Sequence, residues 1–233
     1  MSGFKFGSAG FVGSLKIGSS ASAYISPYSK TGLTQYHDVN FGASGVILNA
    51  SNQITTWKNQ IVGGVDLTLT TGTAPNYLKS VDGFPAIDAV AGGVLGATIP
   101  ATGTQPLSIT LLIKVIRNPS SANYITIFSA GYMTLIQKFT TDSLIQEFGA
   151  NNTGVRAFVV NEWTPITIVW SSGKSLAVFG VDSSIYNINP TSFTDFVITG
   201  EVLHRLFLAY NRGLTLSEIT TLHSQIKTAY NLP

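Results

Sequence analysis

Short apolar runs separated by turn residues dominate the chain from residue 65 onward. Val65, Leu67 and Leu69 alternate with polar residues, which is typical of a strand with one buried face. The segment 107–116 is almost entirely apolar and predicts a central strand. The same reading predicts further strands at 124–128, 132–138, 144–148, 155–160, 164–171, 175–181 and 201–210. This spacing is typical of an all-β sandwich or barrel.

The pattern changes from strand to helix only near the C-terminus. Apolar residues recur there at three- and four-residue steps, so one face of a helix over 215–230 is apolar. These residues are Leu216, Ile219, Leu222, Ile226 and Tyr230.

The start of this helix carries its own signal. Thr215 and Glu218 have the spacing of a capping box, in which each side chain bonds the backbone amide of the other. Leu214 and Ile219 stand where a hydrophobic staple closes over the cap. Glu218 is therefore predicted to serve structure.

Residues 1–44 differ from the rest, since they are rich in Gly, Ser and Tyr. They fit either two edge strands of the sandwich or an extended arm that grips a neighbouring subunit. We expect residues 1–40 to contact another chain in a multicopy assembly, and residues 45–233 to form the main domain. Two hairpin turns are predicted, at Asp82-Gly83 and Ser172-Gly173.

Charge is low. Only 10% of residues are charged, against roughly 25% in typical domains. With 13 basic and 11 acidic residues and no basic run, the chain is not expected to bind nucleic acid. There is no cysteine, no stretch apolar enough to cross a membrane, and only a feeble signal-like segment at 6–15. A surface that contacts sugar or protein fits this composition.

Two segments resemble a known family. The first runs from Asn49 through Trp57-Lys58-Asn59, continues with Pro75-Asn76-Tyr77 and ends in Asp82-Gly83-Phe84-Pro85-Ala86-Ile87-Asp88. The second is Tyr210-Asn211-Arg212-Gly213-Leu214-Thr215 with Glu218 and the final Tyr230-Asn231-Leu232. Together they resemble the opening and closing motifs of concanavalin A-like, laminin-G-like domains of phage virion and bacterial surface proteins. Asn59 departs from the family, where Asp is common.

The resemblance implies an all-β, concanavalin A-like antiparallel β-sandwich (jelly roll) with one short C-terminal α-helix. It also implies a structural component of a phage virion, exposed as a decoration, fibre or tail-associated protein that contacts other virion proteins and host-surface glycans. The alternative is an extracellular or cell-surface carbohydrate-binding module of bacteria. A glycoside hydrolase is the third reading.

The sequence offers little for catalysis, so we expect no enzymatic activity and no cofactor. Hydrolases of this fold carry Glu-x-Asp-x-x-Glu on one strand, and no glutamate here has an aspartate two residues later. Glu147 and Glu162 are the remaining pair to test. The three histidines show no metal-binding spacing.

For sugar binding, the sequence favours a glycine-flanked polar segment predicted to be a loop. This loop, residues 149–154, contains Asn151 and Asn152, and Arg156 follows it. Tyr132 and Trp163 are expected to lie near it and complete the candidate set. Sugars are recognised by aromatic faces together with amide and charged side chains. No metal site is expected, although lectins of this fold make Asp82 and Asp88 calcium candidates. Trp57 is predicted to lie in the core.

Overall fold

The computed structural model describes residues 28–89, 93–98, 107–116, 124–130, 133–138, 143–148, 151–157, 159–171, 174–179, 182–186, 195–198 and 202–233. Within these residues the chain forms two antiparallel sheets that pack face to face, and one short C-terminal helix. The predicted all-β sandwich is thereby confirmed.

In chain order the strands are β1 (Leu33–Asp38), β2 (Val46–Leu48), β3 (Ile54–Trp57), β4 (Leu67–Thr71), β5 (Asn76–Val81), β6 (Phe84–Asp88), β7 (Val94–Thr98), β8 (Leu107–Val115), β9 (Tyr124–Ala130), β10 (Met133–Lys138), β11 (Ser143–Phe148), β12 (Asn151–Ala157), β13 (Trp163–Ser171), β14 (Lys174–Phe179), β15 (Asp182–Tyr186), β16 (Asp195–Ile198) and β17 (Val202–Tyr210). A 3₁₀ segment follows β1 at Val39–Ser44, and helix α1 spans Leu216–Ala229.

Sheet A has the order β15-β14-β13-β8-β17-β6-β5, and β1 also pairs with β17. Sheet B has the order β12-β11-β10-β9-β16-β7-β4-β3-β2. The predicted central strand is confirmed, because β8 lies between β13 and β17.

Both faces of the central strands β8 and β17 of sheet A are buried, which explains why these strands are predominantly apolar. On β17, Phe207 and Ala209 pack into the core between the sheets, where Trp57 is fully buried as predicted. Leu206 and Leu208 pack into a second core on the outer face. That outer core contains the buried side of α1.

Helix α1 begins as predicted. The Thr215 hydroxyl accepts from the Glu218 amide at 3.3 Å, and Glu218 Oε2 accepts from the Thr215 amide at 2.8 Å. Ile219, Leu222 and Ile226 are buried against sheet A. Leu216 is the exception in the predicted apolar stripe, since it is 52% exposed.

Part of the distinctive N-terminal segment belongs to the sandwich. Strand β1 pairs with β17 from Leu33↔Tyr210 to Asp38↔Leu206. The Asn59 side chain ties β1 in place, since its Oδ1 accepts from the Tyr36 amide at 3.0 Å and its Nδ2 donates to the Thr34 carbonyl at 3.2 Å. Residues 1–27 lie outside the described residues, so the expected contact of residues 1–40 with another chain stays a prediction.

The predicted two-residue hairpin at Asp82-Gly83 is confirmed. Asp82 and Gly83 have φ values of 48° and 83°, as a hairpin turn with two left-handed residues requires. The predicted Ser172-Gly173 turn lies outside the described residues, and the two residues that flank it, Ser171 and Lys174, pair between β13 and β14.

Candidate functional site

The described sugar-binding candidates lie in both sheets. Asn151, Asn152 and Arg156 lie in β12, the strand at one end of sheet B, so the expected loop at Asn151 and Asn152 is wrong, whereas Arg156 lies in a strand as predicted. The segment forms a strand because it pairs with β11, from Phe148↔Asn151 to Ser143↔Ala157. Trp163 begins β13 in the other sheet, and Tyr132 lies outside the described residues.

The side chain of Trp163 is buried and packs against its neighbours. It is 7% exposed, and the Arg205 guanidinium carbon lies 3.7 Å from its ring centroid. Its indole N–H donates to Asp82 Oδ2 at 3.0 Å. A stacked guanidinium occupies the face that a sugar would need, so the expectation of a sugar contact at Trp163 loses its geometric basis.

The two calcium candidates are held apart. Asp82 sits in the turn before β6 and Asp88 is the last residue of that strand. Asp82 Oδ2 also accepts from Lys114 Nζ at 2.8 Å, and its hydrogen bonds to Lys114 and Trp163 lower the pKa of Asp82. Among the described residues, no group of three or more possible metal ligands comes together.

Arg205 is a buried cation that the sequence did not reveal. The register of β17 against β8 shifts between His204 and Leu206, so Arg205 sits at a bulge. It is 0% exposed and donates through Nη2 to the Val81 carbonyl. Its Nε and Nη1 have no acceptor among the described residues, and burial lowers the pKa of Arg205 to about 10.

Asp38 is a buried carboxylate on the same side of the molecule. It accepts from the Tyr230 hydroxyl at 2.6 Å, the Asn40 amide at 2.8 Å and the Tyr36 hydroxyl at 3.3 Å. Burial raises the pKa of Asp38 to about 6, although these hydrogen bonds oppose the rise. Asp38 therefore joins β1, the 3₁₀ segment and the end of α1.

The histidines are also structural. His37 is fully buried, with Nδ1 2.9 Å from the Trp57 carbonyl, and burial lowers the pKa of His37 to about 3. His223 Nε2 lies 2.8 Å from Thr167 Oγ1, which fastens α1 to sheet A.

An open groove lies along α1, where the helix faces the residues before β1. Its volume is about 370 Å³. The groove residues are Tyr28, Ser29, Tyr210, Arg212, Leu214, Ser217, Glu218, Thr221, Leu222 and Gln225. It therefore combines hydroxyl, amide and charged groups with an apolar part, as small-molecule sites commonly do.

Two residues beside the cap give the groove its charge. Arg212 Nη2 donates to Glu218 Oε1 at 2.6 Å, and Arg212 Nε donates to the Thr31 carbonyl at 3.0 Å. This pairing, with the cap, lowers the pKa of Glu218 to about 2. The predicted role of Glu218 in the cap is confirmed. The ion pair that Arg212 forms with Glu218 was not predicted, and Arg212 was noted only as part of the closing motif.

Comparison with known proteins gives a likeness of fold only. No family model matches the sequence, and no curated protein matches it. Among solved structures, a sialidase of Trypanosoma rangeli in complex with the inhibitor DANA is 14% identical, with a TM-score of 0.62 over 84% of this chain and 33% of that chain.

Neurotoxin domains give a second likeness. The binding domain of botulinum neurotoxin DC in complex with SialylT is 10% identical, with a TM-score of 0.59 over 84% of this chain and 52% of that chain. A botulinum neurotoxin type C structure concerned with two ganglioside molecules has a TM-score of 0.58 at 11% identity, over 78% of this chain and 51% of that chain. This chain thus spans from about a third to half of these proteins. The class that emerges is a β-rich sandwich.

None of the helices in the described ranges is long and apolar enough to span a membrane.

Proposed function

We propose that this chain is a non-enzymatic glycan-binding module. The observation that carries the proposal is the fold it shares with a neurotoxin binding domain seen with SialylT, over 84% of this chain. The low charge and polar composition support it, because a surface rich in hydroxyl and amide groups offers many donors and acceptors for sugar hydroxyls. Within this fold, the concanavalin A-like jelly roll is the specific architecture we propose.

The absence of catalysis is part of the proposal. Three described carboxylates have structural partners: Glu218 caps α1 and pairs with Arg212, Asp82 pairs with Lys114, and Asp38 is buried. Glycoside hydrolysis needs two carboxyl groups that face one bond. Glu147 lies in sheet B, whereas Glu162 precedes the first strand residue of β13 in sheet A.

Fluorogenic glycosides, a sialoside among them, test this part. We expect turnover no faster than a buffer blank. Any turnover that the Glu147→Gln/Glu162→Gln double variant abolishes would make the chain a glycosidase instead.

A glycan array tests binding directly. The full chain, biotinylated and tetramerised on streptavidin, should bind a subset of glycans, while the untetramerised chain binds far more weakly. The physical reason is multivalency, which raises avidity by about 10²–10⁴ over a single weak site. An array without any signal from the tetramer would reject the proposal.

We further propose that the module is displayed in many copies on a virus particle. The resemblance of residues 45–233 to phage virion domains supports this setting, and display would supply the multivalency. Mass spectrometry of purified particles should then detect peptides from this chain. Their absence from particles, together with detection at a bacterial surface, would favour the alternative of a bacterial carbohydrate-binding module.

A further inference from the structure

We propose that the groove beside α1 is a subsite for an acidic saccharide, in which Arg212 donates to the sugar carboxylate. This inference rests on the proposed glycan-binding function and gives it a place and a ligand class. Three features of the groove carry it: a fixed donor, a polar helix face, and an apolar floor.

Arg212 is a donor whose direction is already fixed. Nε is held by the Thr31 carbonyl at 3.0 Å and Nη2 by Glu218 at 2.6 Å, while Nη1 has no acceptor among the described residues. The side chain keeps 28% of its surface exposed in the groove. A side chain held in this way loses little conformational entropy when a ligand binds, so its remaining N–H groups are preorganised.

Both carboxylate oxygens of Glu218 already accept hydrogen bonds from the protein. Oε1 accepts from Arg212, and Oε2 accepts from the Thr215 amide and hydroxyl at 2.8 and 3.0 Å. The groove therefore offers a partly exposed guanidinium beside a carboxylate that the helix cap and Arg212 already engage. The planar guanidinium of Arg matches the geometry of a carboxylate, and both partners are then charged, which favours a carboxylate over a hydroxyl at Arg212.

The helix presents polar groups to the same space. Ser217, Thr221 and Gln225 follow each other at four-residue steps, which places them on one face of α1. They supply hydroxyl and amide groups for the remaining sugar oxygens. Ser217 and Thr221 are exposed, so a ligand reaches them without unfolding the helix.

Apolar residues complete the groove. Tyr210, Leu214 and Leu222 are buried in the outer core, and all three contribute to the lining. A sugar ring carries a C–H face beside its hydroxyls, so a surface with both characters matches it. The volume of about 370 Å³ falls in the range of about 300–1,000 Å³ typical of small-ligand sites.

A pair of tryptophan variants tests this placement in the full chain. Thr221→Trp fills the middle of the groove, whereas Thr220→Trp puts the same side chain at an exposed neighbouring position that does not line it. Each replacement also removes one threonine bond to a helix carbonyl, at 2.9 Å in both cases. The variants are thus matched in chemistry and in cost to the helix.

Isothermal titration with sialyllactose and with lactose provides the readout, after circular dichroism and melting show that both variants fold. We expect wild type and Thr220→Trp to bind sialyllactose within twofold of each other and at least about tenfold more tightly than lactose, a difference of about 1.4 kcal/mol. Thr221→Trp should lose at least about tenfold for sialyllactose, and Gln225→Ala, a smaller change, about threefold.

Retention of sialyllactose binding by Thr221→Trp would overturn the subsite while leaving the glycan-binding function in place. Equal affinity of wild type for the two probes would overturn the role of the carboxylate at Arg212. A wild-type chain that binds nothing on the glycan array would remove the proposed function itself, and this inference with it.

Discussion

Replacing Tyr230 by Phe deletes one oxygen atom from the contact that joins the C-terminus to β1. That hydroxyl donates to Asp38 Oδ1 at 2.6 Å, and both residues are buried. The ring itself can stay, since it packs against Phe84 with centroids 5.4 Å apart. The variant therefore tests a hydrogen bond with little change in packing.

The expected cost follows from the charge of the acceptor. Hydrogen bonds to charged groups contribute about 1.5–3 kcal/mol, and a buried carboxylate that loses a donor cannot replace it with water. Asp38 would keep the Asn40 amide at 2.8 Å and the Tyr36 hydroxyl at 3.3 Å. We expect Tyr230→Phe to lower the free energy of unfolding by about 2 kcal/mol at neutral pH.

This cost should depend on pH. Burial raises the pKa of Asp38 from 3.8 to about 6. Between those values the native state binds more protons than the unfolded state, so the contribution of Asp38 to stability falls as pH rises through this window. The Tyr230 bond opposes the shift, so its loss raises the pKa of Asp38 further. The variant should therefore lose most at pH 8 and clearly less at pH 4.5, where Asp38 is largely protonated.

Urea unfolding at pH 4.5 and pH 8 measures both quantities. With a slope of about 2 kcal/mol per molar urea, a loss of 2 kcal/mol moves the midpoint by about 1 M. Tyr77→Phe is the matched control, because Tyr77 is part-buried on β5 and makes no bond to Asp38. An identical loss for Tyr230→Phe at the two pH values, or a loss no larger than that of the control, would refute the reasoning.

Three further substitutions have definite expectations in urea unfolding. Thr215→Ala removes the cap of α1 and should cost about 1 kcal/mol, whereas the exposed control Thr220→Ala should cost clearly less; equal losses would contradict the cap. Arg205→Met should leave the free energy of unfolding unchanged or raise it, because two buried guanidinium nitrogens lack acceptors. Arg205→Ala leaves a cavity and should lower that free energy by about 2–4 kcal/mol. A large loss with Arg205→Met would contradict the view that the buried charge costs stability. Gly83→Ala should cost about 1–2 kcal/mol from backbone strain alone, since its φ is +83° and no atom lies within 4 Å of the new Cβ; unchanged stability would contradict the turn assignment.

Features set by neighbouring residues could be predicted from the sequence. The cap of α1 depends on Thr215 and Glu218, three residues apart, and the β5–β6 turn depends on Asp82-Gly83. The nearly continuous apolar sequence of β8 predicted a central strand that is buried on both faces of the sheet. In each case a short stretch of sequence contains the whole physical cause.

Features that depend on pairing could not be predicted. Asn151 and Asn152 look like loop residues, yet the register with β11 makes them part of a strand. Arg205 looks like an exposed charge within an apolar strand, but a bulge and the ring of Trp163 bury it. The intrinsic preference of a residue for a strand is weaker than the effect of its neighbours across the sheet, and the sequence alone does not identify those neighbours.

The groove could not be predicted from the sequence either, because it also depends on how strands pair. Tyr28 and Arg212 are far apart in the chain and meet only because β1 pairs with β17 at Leu33↔Tyr210. The helix face at Ser217, Thr221 and Gln225 is visible in the sequence as polar positions, but polar positions on a helix usually face solvent. Only the packed structure distinguishes a groove from an ordinary surface.

The central claim we propose is that this chain binds sialylated glycans and turns none over. Biolayer interferometry of the tetramerised full chain on one sialoglycan-coated sensor, before and after enzymatic removal of sialic acid, tests it most directly. We expect clear binding before the removal of sialic acid, at least about tenfold weaker binding after it, and no release of sialic acid by the chain itself. Absence of binding to the intact surface, or release of sialic acid during the measurement, would contradict it.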